Sequence, residues 1–190
     1  MLVIQQFEIP GVFLITPPRH GDARGWFSET YNHRAFRDAL GDLVFVQDNQ
    51  SFSAAPGTLR GLHYQTPPAA QDKLVRVLQG SVLDVAVDIR HGSPTFGRHV
   101  SAVLSADNGA QLFVPKGFAH GYLTLEPDTE VLYKVSAYYS REHEAGIAWD
   151  DPALAISWGV DAAALTIAAR DAAFPSLRDA ARHFSHTQTP

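Results

Sequence analysis

The chain has no cysteine among its 190 residues. A disulfide, a zinc–thiolate centre and a thiol nucleophile are therefore excluded, and the composition accords with a reducing cytoplasm. Concentrated positive charge is missing too. The 15 Lys and Arg residues are scattered among 20 Asp and Glu, for a formal net charge of −5. Nucleic-acid binding needs a basic face that neutralises many phosphates, so no nucleic-acid partner is expected. A small anionic ligand held by a few placed arginines stays open. No apolar run approaches the ~20 residues that span a bilayer. Met1 to Glu8 has neither a basic start nor a long apolar stretch, so no signal peptide is evident. The expectation is a soluble, cytoplasmic protein with no membrane partner.

What is present is an ordinary globular balance, 45% hydrophobic and 18% charged, in a length that suits one domain spanning 1–190. Most of that length reads as strands. Val12 to Thr16, Gly25 to Thr30 and Leu43 to Ser53 are rich in β-branched and aromatic residues. Lys73 to Leu78 and Ser81 to Ile89, joined by Gln79-Gly80, form a hairpin pattern. In its second arm Leu83, Val85, Val87 and Ile89 alternate with Val82, Asp84, Ala86 and Asp88. Further strands follow at His99 to Leu104, Gln111 to Val114, Ala119 to Leu125 and Glu130 to Tyr139. Many short strands separated by turn signals predict an antiparallel sandwich or barrel. Two helices are expected. One runs from an N-cap at Asn32 to a stop at Gly41, and the other lies within Ser176 to Phe184. Ser185 to Pro190 reads as a frayed, flexible tail.

Strand parity sorts the polar residues. From Leu59 to Gln65, His63 shares a face with Leu59, Gly61 and Gln65, while Arg60 points the other way unless a bulge or a neighbouring subunit intervenes. On later strands His120 aligns with Phe118 and Tyr122, and Tyr133 aligns with Val135. If these faces line one interior, His63, Lys73, His120 and Tyr133 converge. Each has an ordinary explanation alone: His63 or His120 as a hydrogen-bonded core histidine, Lys73 as a solvated strand end, Tyr133 as core. The ordered set is harder to explain that way. A base beside a fixed cation is the minimum equipment for removing a proton from carbon next to a carbonyl.

The Pro-x-Gly-x-x-His run from Pro115 to His120 resembles the second motif of the cupin superfamily, a double-stranded β-barrel. A metal-binding cupin also carries His-x-His with a following glutamate. Here Gln65 occupies the second histidine position and no glutamate follows nearby. A neutral amide is a poor transition-metal ligand, so no metal is expected.

The resemblance narrows further. Gly21-Asp22-Ala23-Arg24-Gly25-Trp26-Phe27-Ser28-Glu29-Thr30-Tyr31, Gln47-Asp48-Asn49, Leu59 to Gln65, Lys73 to Val77, Asp84 to Arg90, Ser93 to Gly97, Phe113 to Tyr122, Leu132-Tyr133-Lys134 and Gly146 to Pro152 are similar to the dTDP-4-dehydrorhamnose 3,5-epimerase family. The match runs from about Phe7 to Leu177. It implies an all-β, cupin-type jelly-roll barrel with a few short helices. The implied activity needs no cofactor and inverts C3 and C5 of a dTDP-4-keto-6-deoxyhexose on the way to dTDP-L-rhamnose. By resemblance His63 is the base, Asp171 its orienting carboxylate, Lys73 the stabiliser of the enolate and Tyr133 the opposing acid. Substrate contacts fall on Arg24, Phe27, Glu29, Gln47, Asn49, Arg60, His120, Tyr139, Glu144 and Arg170. Phe27 and Tyr139 either sandwich the thymine or belong to the core. Asp171 is otherwise a carboxylate at a helix start, and Glu29 and Glu144 are otherwise solvent-facing. The family is usually a homodimer with exchanged N-terminal strands.

Three positions depart from the family pattern: Trp26 for phenylalanine, Arg170 for lysine, and a less polar Thr166-Ile167-Ala168-Ala169. Competing readings are a relative inverting only C3 or only C5, a metal-binding cupin, and a sugar-nucleotide binding module without catalysis.

Overall fold

The computed structural model describes residues 1–186. Strands dominate it, beginning with β1 (Val3–Gln6), β2 (Phe13–Thr16), β3 (His20–Asp22), β4 (Gly25–Phe27), β5 (Gln47–Ser53), β6 (Thr58–Gln65) and β7 (Lys73–Gln79). The series continues with β8 (Ser81–Asp88), β9 (His99–Ser105), β10 (Gln111–Val114), β11 (Phe118–Thr124), β12 (Thr129–Val135), β13 (Glu144–Gly146) and β14 (Thr166–Ile167). One six-stranded sheet has the order β1-β2-β10-β7-β12-β5. The facing sheet runs β13-β6-β11-β8-β9, with β14 added beside β6. Among the described residues every pairing between these strands is antiparallel except that of β14 with β6. This is the cupin-type jelly roll that the strand pattern and the motif resemblance predicted.

Alternation explains why the two sheets face each other. Val75, Val77, Leu112 and Val131 from the first sheet meet Val82, Ala86, Leu104 and Phe118 from the second in one buried core. The outer face of the second sheet is covered by Ile147, Leu154 and Trp158, with Leu177 and Phe184 against them. The outer face of the first is covered by helix α1 (His33–Leu40), whose Phe36 packs on Ile15, Leu74 and Phe113. The Asn32 side chain accepts from the N–H groups of Arg34 and Ala35. Gly41 closes the helix at φ 91°, its N–H donating to the Arg37 carbonyl. Both caps fall where the sequence put them.

The second expected helix is absent. Ser176 and Asp179 cap each other through the Ser176 hydroxyl and the Asp179 N–H, but the backbone completes only a turn. Beyond it the chain extends, and Leu177, Ala180 and Phe184 pack against the apolar cluster on the outer face of the sheet. Ser185 forms a β-bridge with His91, and the His186 N–H donates to the His91 carbonyl. The predicted frayed tail therefore does not begin at Ser185, and its last part, 187–190, lies outside the described residues.

One irregularity shapes the interior. Between β6 and β11, His63 pairs with His120 but Arg60 pairs with Tyr122, so Gly61 and Leu62 together face Gly121. This β-bulge moves Arg60 onto the same side as His63, against the simple alternation that had separated them. Leu59, Leu62 and Tyr64 pack together on the outer side. The bulge needs two glycines back to back. Gly61 has φ +133°, and a Cβ there would lie 2.6 Å from Gly121 Cα. A Cβ on Gly121 would lie 2.9 Å from both the Arg60 carbonyl oxygen and Leu62 Cδ2. Gly121→Ala is expected to destabilise the fold by about 1–3 kcal/mol through this overpacking. A denaturant midpoint unchanged from the parent would contradict the close approach.

Candidate active site

A cavity of ≈490 Å³ opens between the sheets. Its two walls carry different equipment. The second sheet supplies Arg60 and His63 from β6 and His120 and Tyr122 from β11. The first supplies Ser51 from β5, Lys73 from β7 and Tyr133 from β12. Glu144, Arg170 and Asp171 close one side.

His63 is the best-held of these groups. Its Nε2 lies 2.9 Å from Asp171 Oδ1, and the other carboxylate oxygen accepts the Gly61 N–H at 3.0 Å. Asp171 thus grips both the imidazole and the bulge that aims it. The Phe174 ring meets the imidazole edge-on at 5.6 Å between centroids. Gly146, paired with His63 on β13, leaves room for that ring, since any Cβ there would collide with Phe174. Burial alone would favour the neutral Asp171 acid. The hydrogen bond and charge of His63, the Gly61 N–H and the nearby Arg170 outweigh it and hold the carboxyl below its ordinary range. An ionised Asp171 fixes the ring and leaves Nδ1 of His63 with no partner among the described residues.

Lys73 lies beside this pair, its Nζ 3.4 Å from the His63 carbonyl oxygen. Burial pushes the ammonium down from 10.5 to about 8, against the opposing pull of Asp84 and Glu144. It is a cation at neutrality that has lost most of its water, the condition under which a positive charge acts most strongly on a nearby oxyanion. Behind it His120 Nε2 donates to Asp84 Oδ1 at 2.8 Å. Burial, with the charges of Lys73 and His63, outweighs Asp84 and keeps His120 below its usual range, so it is a neutral imidazole. The second oxygen of Asp84 is buried without a hydrogen-bond partner among the described residues. On the opposite wall burial raises the Tyr133 phenol; Arg60 lowers it and Glu144 adds to the rise. Tyr133 therefore keeps its proton near neutrality.

A smaller recess of ≈110 Å³ continues past His63, Lys73 and Tyr133 to Gln47, Asn49, Tyr139 and Glu144. The Gln47 amide donates to Asn49 Oδ1, and its oxygen accepts the Tyr139 N–H. Glu144 Oε2 accepts from both the Tyr139 hydroxyl and Arg170 Nη1, at 3.0 and 2.7 Å. Tyr139 itself is largely exposed, which removes the alternative that it belongs to the core. Gln65 lies in the recess wall with its amide committed to backbone, donating to the Ala69 and Tyr138 carbonyls and accepting the Ser140 N–H. Among the described residues no three His, Asp or Glu side chains group as metal ligands.

Three predicted contacts stand apart from the cavity within one chain. Arg24 is exposed and paired with Asp22, and Phe27 is 71% exposed. Phe27 and Glu29 line a separate cleft near Met1 and α1. Arg24 and Phe27 belong to the β3–β4 hairpin, whose strands pair only with each other among the described residues. Phe27 is thus not core.

Comparison with known proteins decides the family. The family model described as dTDP-4-dehydrorhamnose 3,5-epimerase matches residues 6–179. The chain belongs to the dTDP-4-dehydrorhamnose 3,5-epimerase family. A dTDP-4-dehydrorhamnose 3,5-epimerase of Sinorhizobium fredii is 51% identical over 93% of this chain and 90% of its own length. Among solved structures, the Legionella pneumophila epimerase in complex with dTDP-4-keto-L-rhamnose aligns with a TM-score of 0.94. It is 42% identical and the alignment covers 100% of both chains. The Bacillus anthracis enzyme, with TDP and pyrophosphate bound, aligns with a TM-score of 0.89 at 45% identity, over 93% of this chain and 99% of its own.

Within this epimerase fold the structure gathers His63, Lys73, Tyr133, Asp171, Arg60, His120, Glu144 and Arg170 at one cavity, with Gln47, Asn49 and Tyr139 adjoining. Sequence reasoning passed over Asp84, Ser51 and Tyr122. Signals pointed to the first two. A carboxylate stood on a strand of buried apolar residues, and Ser51 shares the inward parity of Gln47 and Asn49.

Lys73 is expected to react with an amine-acylating reagent along a pH profile centred on about 8. Competitive labelling read by peptide mass spectrometry measures it. A profile centred near 10.5, the ordinary lysine value, would contradict the buried setting.

Proposed function

We propose that the protein inverts C3 and C5 of dTDP-4-dehydro-6-deoxy-D-glucose to give dTDP-4-dehydro-L-rhamnose, without a metal or other cofactor. What carries this is the opposition of His63 and Tyr133 on facing walls of one cavity, with the Lys73 cation on the strand beside Tyr133 reaching the His63 carbonyl. Both reacting carbons flank the C4 carbonyl, so each C–H is acidified by the same group. His63, its Nε2 held by Asp171, takes the proton through Nδ1. Electron density moves onto the C4 oxygen, where Lys73 stabilises the enolate. Tyr133 returns a proton from the other face, and delivery from the face opposite removal is what inverts the carbon. Positioned acid–base groups are each worth roughly 10²–10⁴ in rate, and an oxyanion donor about 10²–10³.

The nucleotide end completes the assignment. Arg60 and Arg170 suit the diphosphate, because a planar guanidinium pairs two oxygens at once. Tyr139 offers a ring for the thymine, with Gln47, Asn49, Glu144 and His120 as further polar contacts. Arg24, Phe27 and Glu29 fit this scheme in a homodimer, in which the free-standing β3–β4 hairpin of one copy reaches the cavity of the other. The exposed β1 edge, with Val3 and Ile4, favours such an association. No helix among the described residues is long and apolar enough to cross a membrane, and a cysteine-free chain suits a cytoplasmic sugar-nucleotide pathway.

Inversion at both carbons is preferred over inversion at one because relatives at 42–51% identity carry the double-epimerase name or its product. The commitment of Gln65 to backbone weighs against a metal-binding cupin.

His63→Ala is expected to abolish exchange of the C3 and C5 hydrogens with solvent, by at least ~100-fold, while dTDP still binds. Exchange retained in that variant would remove His63 from the base role. Tyr133→Phe is expected to slow net inversion more than exchange, measured side by side by NMR in D2O. Equal losses would count against a separate acid. The rate in the parent protein is expected to fall as pH rises through about 8, as the Lys73 cation is lost. A rate still rising to pH 10 would contradict its charged role.

A further inference from the structure

Ser51 and Tyr122 meet across the cavity with no part in the steps above. The Ser51 Oγ lies 2.7 Å from the Tyr122 hydroxyl, joining β5 of one sheet to β11 of the other. Tyr122 is only 5% exposed and its ring packs in the inter-sheet core, yet both residues line the cavity that holds His63. Burial raises the phenol above its ordinary range, Ser51 and Arg60 acting against it and Tyr133 and Asp84 with it, so both groups are neutral hydroxyls. The pair holds two O–H protons and uses one between its members. It therefore has one donor left, with lone pairs to accept as well. A phosphate or carboxylate needs donors only and an ammonium needs acceptors only. A neutral hydroxyl needs both. Arg60, whose charge acts on the Tyr122 phenol, directs one guanidinium nitrogen to the Phe52 carbonyl and to Ser53.

We infer that Ser51 and Tyr122 form a specificity-determining pair that binds the C3 hydroxyl of the keto sugar. This rests on the proposed epimerase reading and refines it. In a 4-keto-6-deoxyhexose joined to dTDP through C1, the free hydroxyls sit on C2 and C3, both on one side of the carbonyl. C5 on the other side bears a methyl group. The C3 hydroxyl belongs to a carbon that reacts, so a group that grips it aims the C3–H bond. A grip on the C2 hydroxyl would serve both carbons alike.

The test is the ratio of deuterium incorporation at C3 to that at C5 in D2O, read by NMR on one sample. Tyr122→Phe keeps the ring and its packing but removes the hydroxyl. It is expected to lower the ratio about fivefold, the size of one neutral hydrogen bond. Ser51→Ala is expected to lower it similarly, and the double variant no further than either single one, as for two members of one unit. An unchanged ratio, whether or not both rates fall together, would overturn the pair, since a merely structural role or a C2 contact moves both carbons equally. A fall with Tyr122→Phe but not with Ser51→Ala would overturn it as well. No incorporation at either carbon in the parent protein would instead bring down the epimerase reading itself.

Discussion

Asp171 holds two things at once: the imidazole of His63 and the backbone N–H of Gly61. The rest of the site depends on that double grip. A carboxylate carried by the C-terminal part of the chain reaches a strand of the barrel, and its buried charge is offset by a ring nitrogen, an amide and the neighbouring Arg170. The amide belongs to the residue that forms the bulge. The bulge in turn brings Arg60 and His63 to one side of β6. One interaction thereby joins the direction of the His63 ring, the placement of Arg60 and the seating of the C-terminal segment on the sheet.

The electrostatics of the cavity follow from how little water its groups retain. Lys73 is buried strongly enough that its proton is held only to about 8, yet Asp84 and Glu144 oppose full neutralisation. Asp84 acts at one remove. It fixes His120 by hydrogen bond and supports the Lys73 charge through space. The result is a site with a buried lysine cation flanked by two arginines, an imidazole fixed by a carboxylate, and phenols that keep their protons. These groups are set on two facing sheets, His63 on one and Lys73 and Tyr133 on the other.

Much of this was legible in the chain. Alternation in Ser81 to Ile89, the Asn32 and Gly41 caps and the regular turn signals gave the barrel and its helix, because local periodicity and capping depend on neighbours in sequence. His63, Lys73, His120 and Tyr133 were found by parity and motif. Arg60 was the limit of that method, since a bulge inserts one residue and inverts every assignment beyond it. The Gly61–Gly121 contact that makes the bulge joins residues far apart in the chain. Ser176 to Phe184 was read as a helix because the partner of Leu177, Ala180 and Phe184, the outer face of a sheet, is invisible locally. Asp171 came only through family resemblance, and Ser51 and Tyr122 were passed over because a hydroxyl in a strand carries no chemistry until a facing strand supplies its partner.

The central claim is that one base and one acid on opposite walls act at both carbons beside the carbonyl. Deuterium incorporation from D2O into dTDP-4-keto-6-deoxyglucose, followed by NMR with EDTA present, tests it most directly. The account predicts label at both C3 and C5, with the inverted sugar captured by a 4-keto reductase. Label confined to one carbon, or none at all, would contradict it.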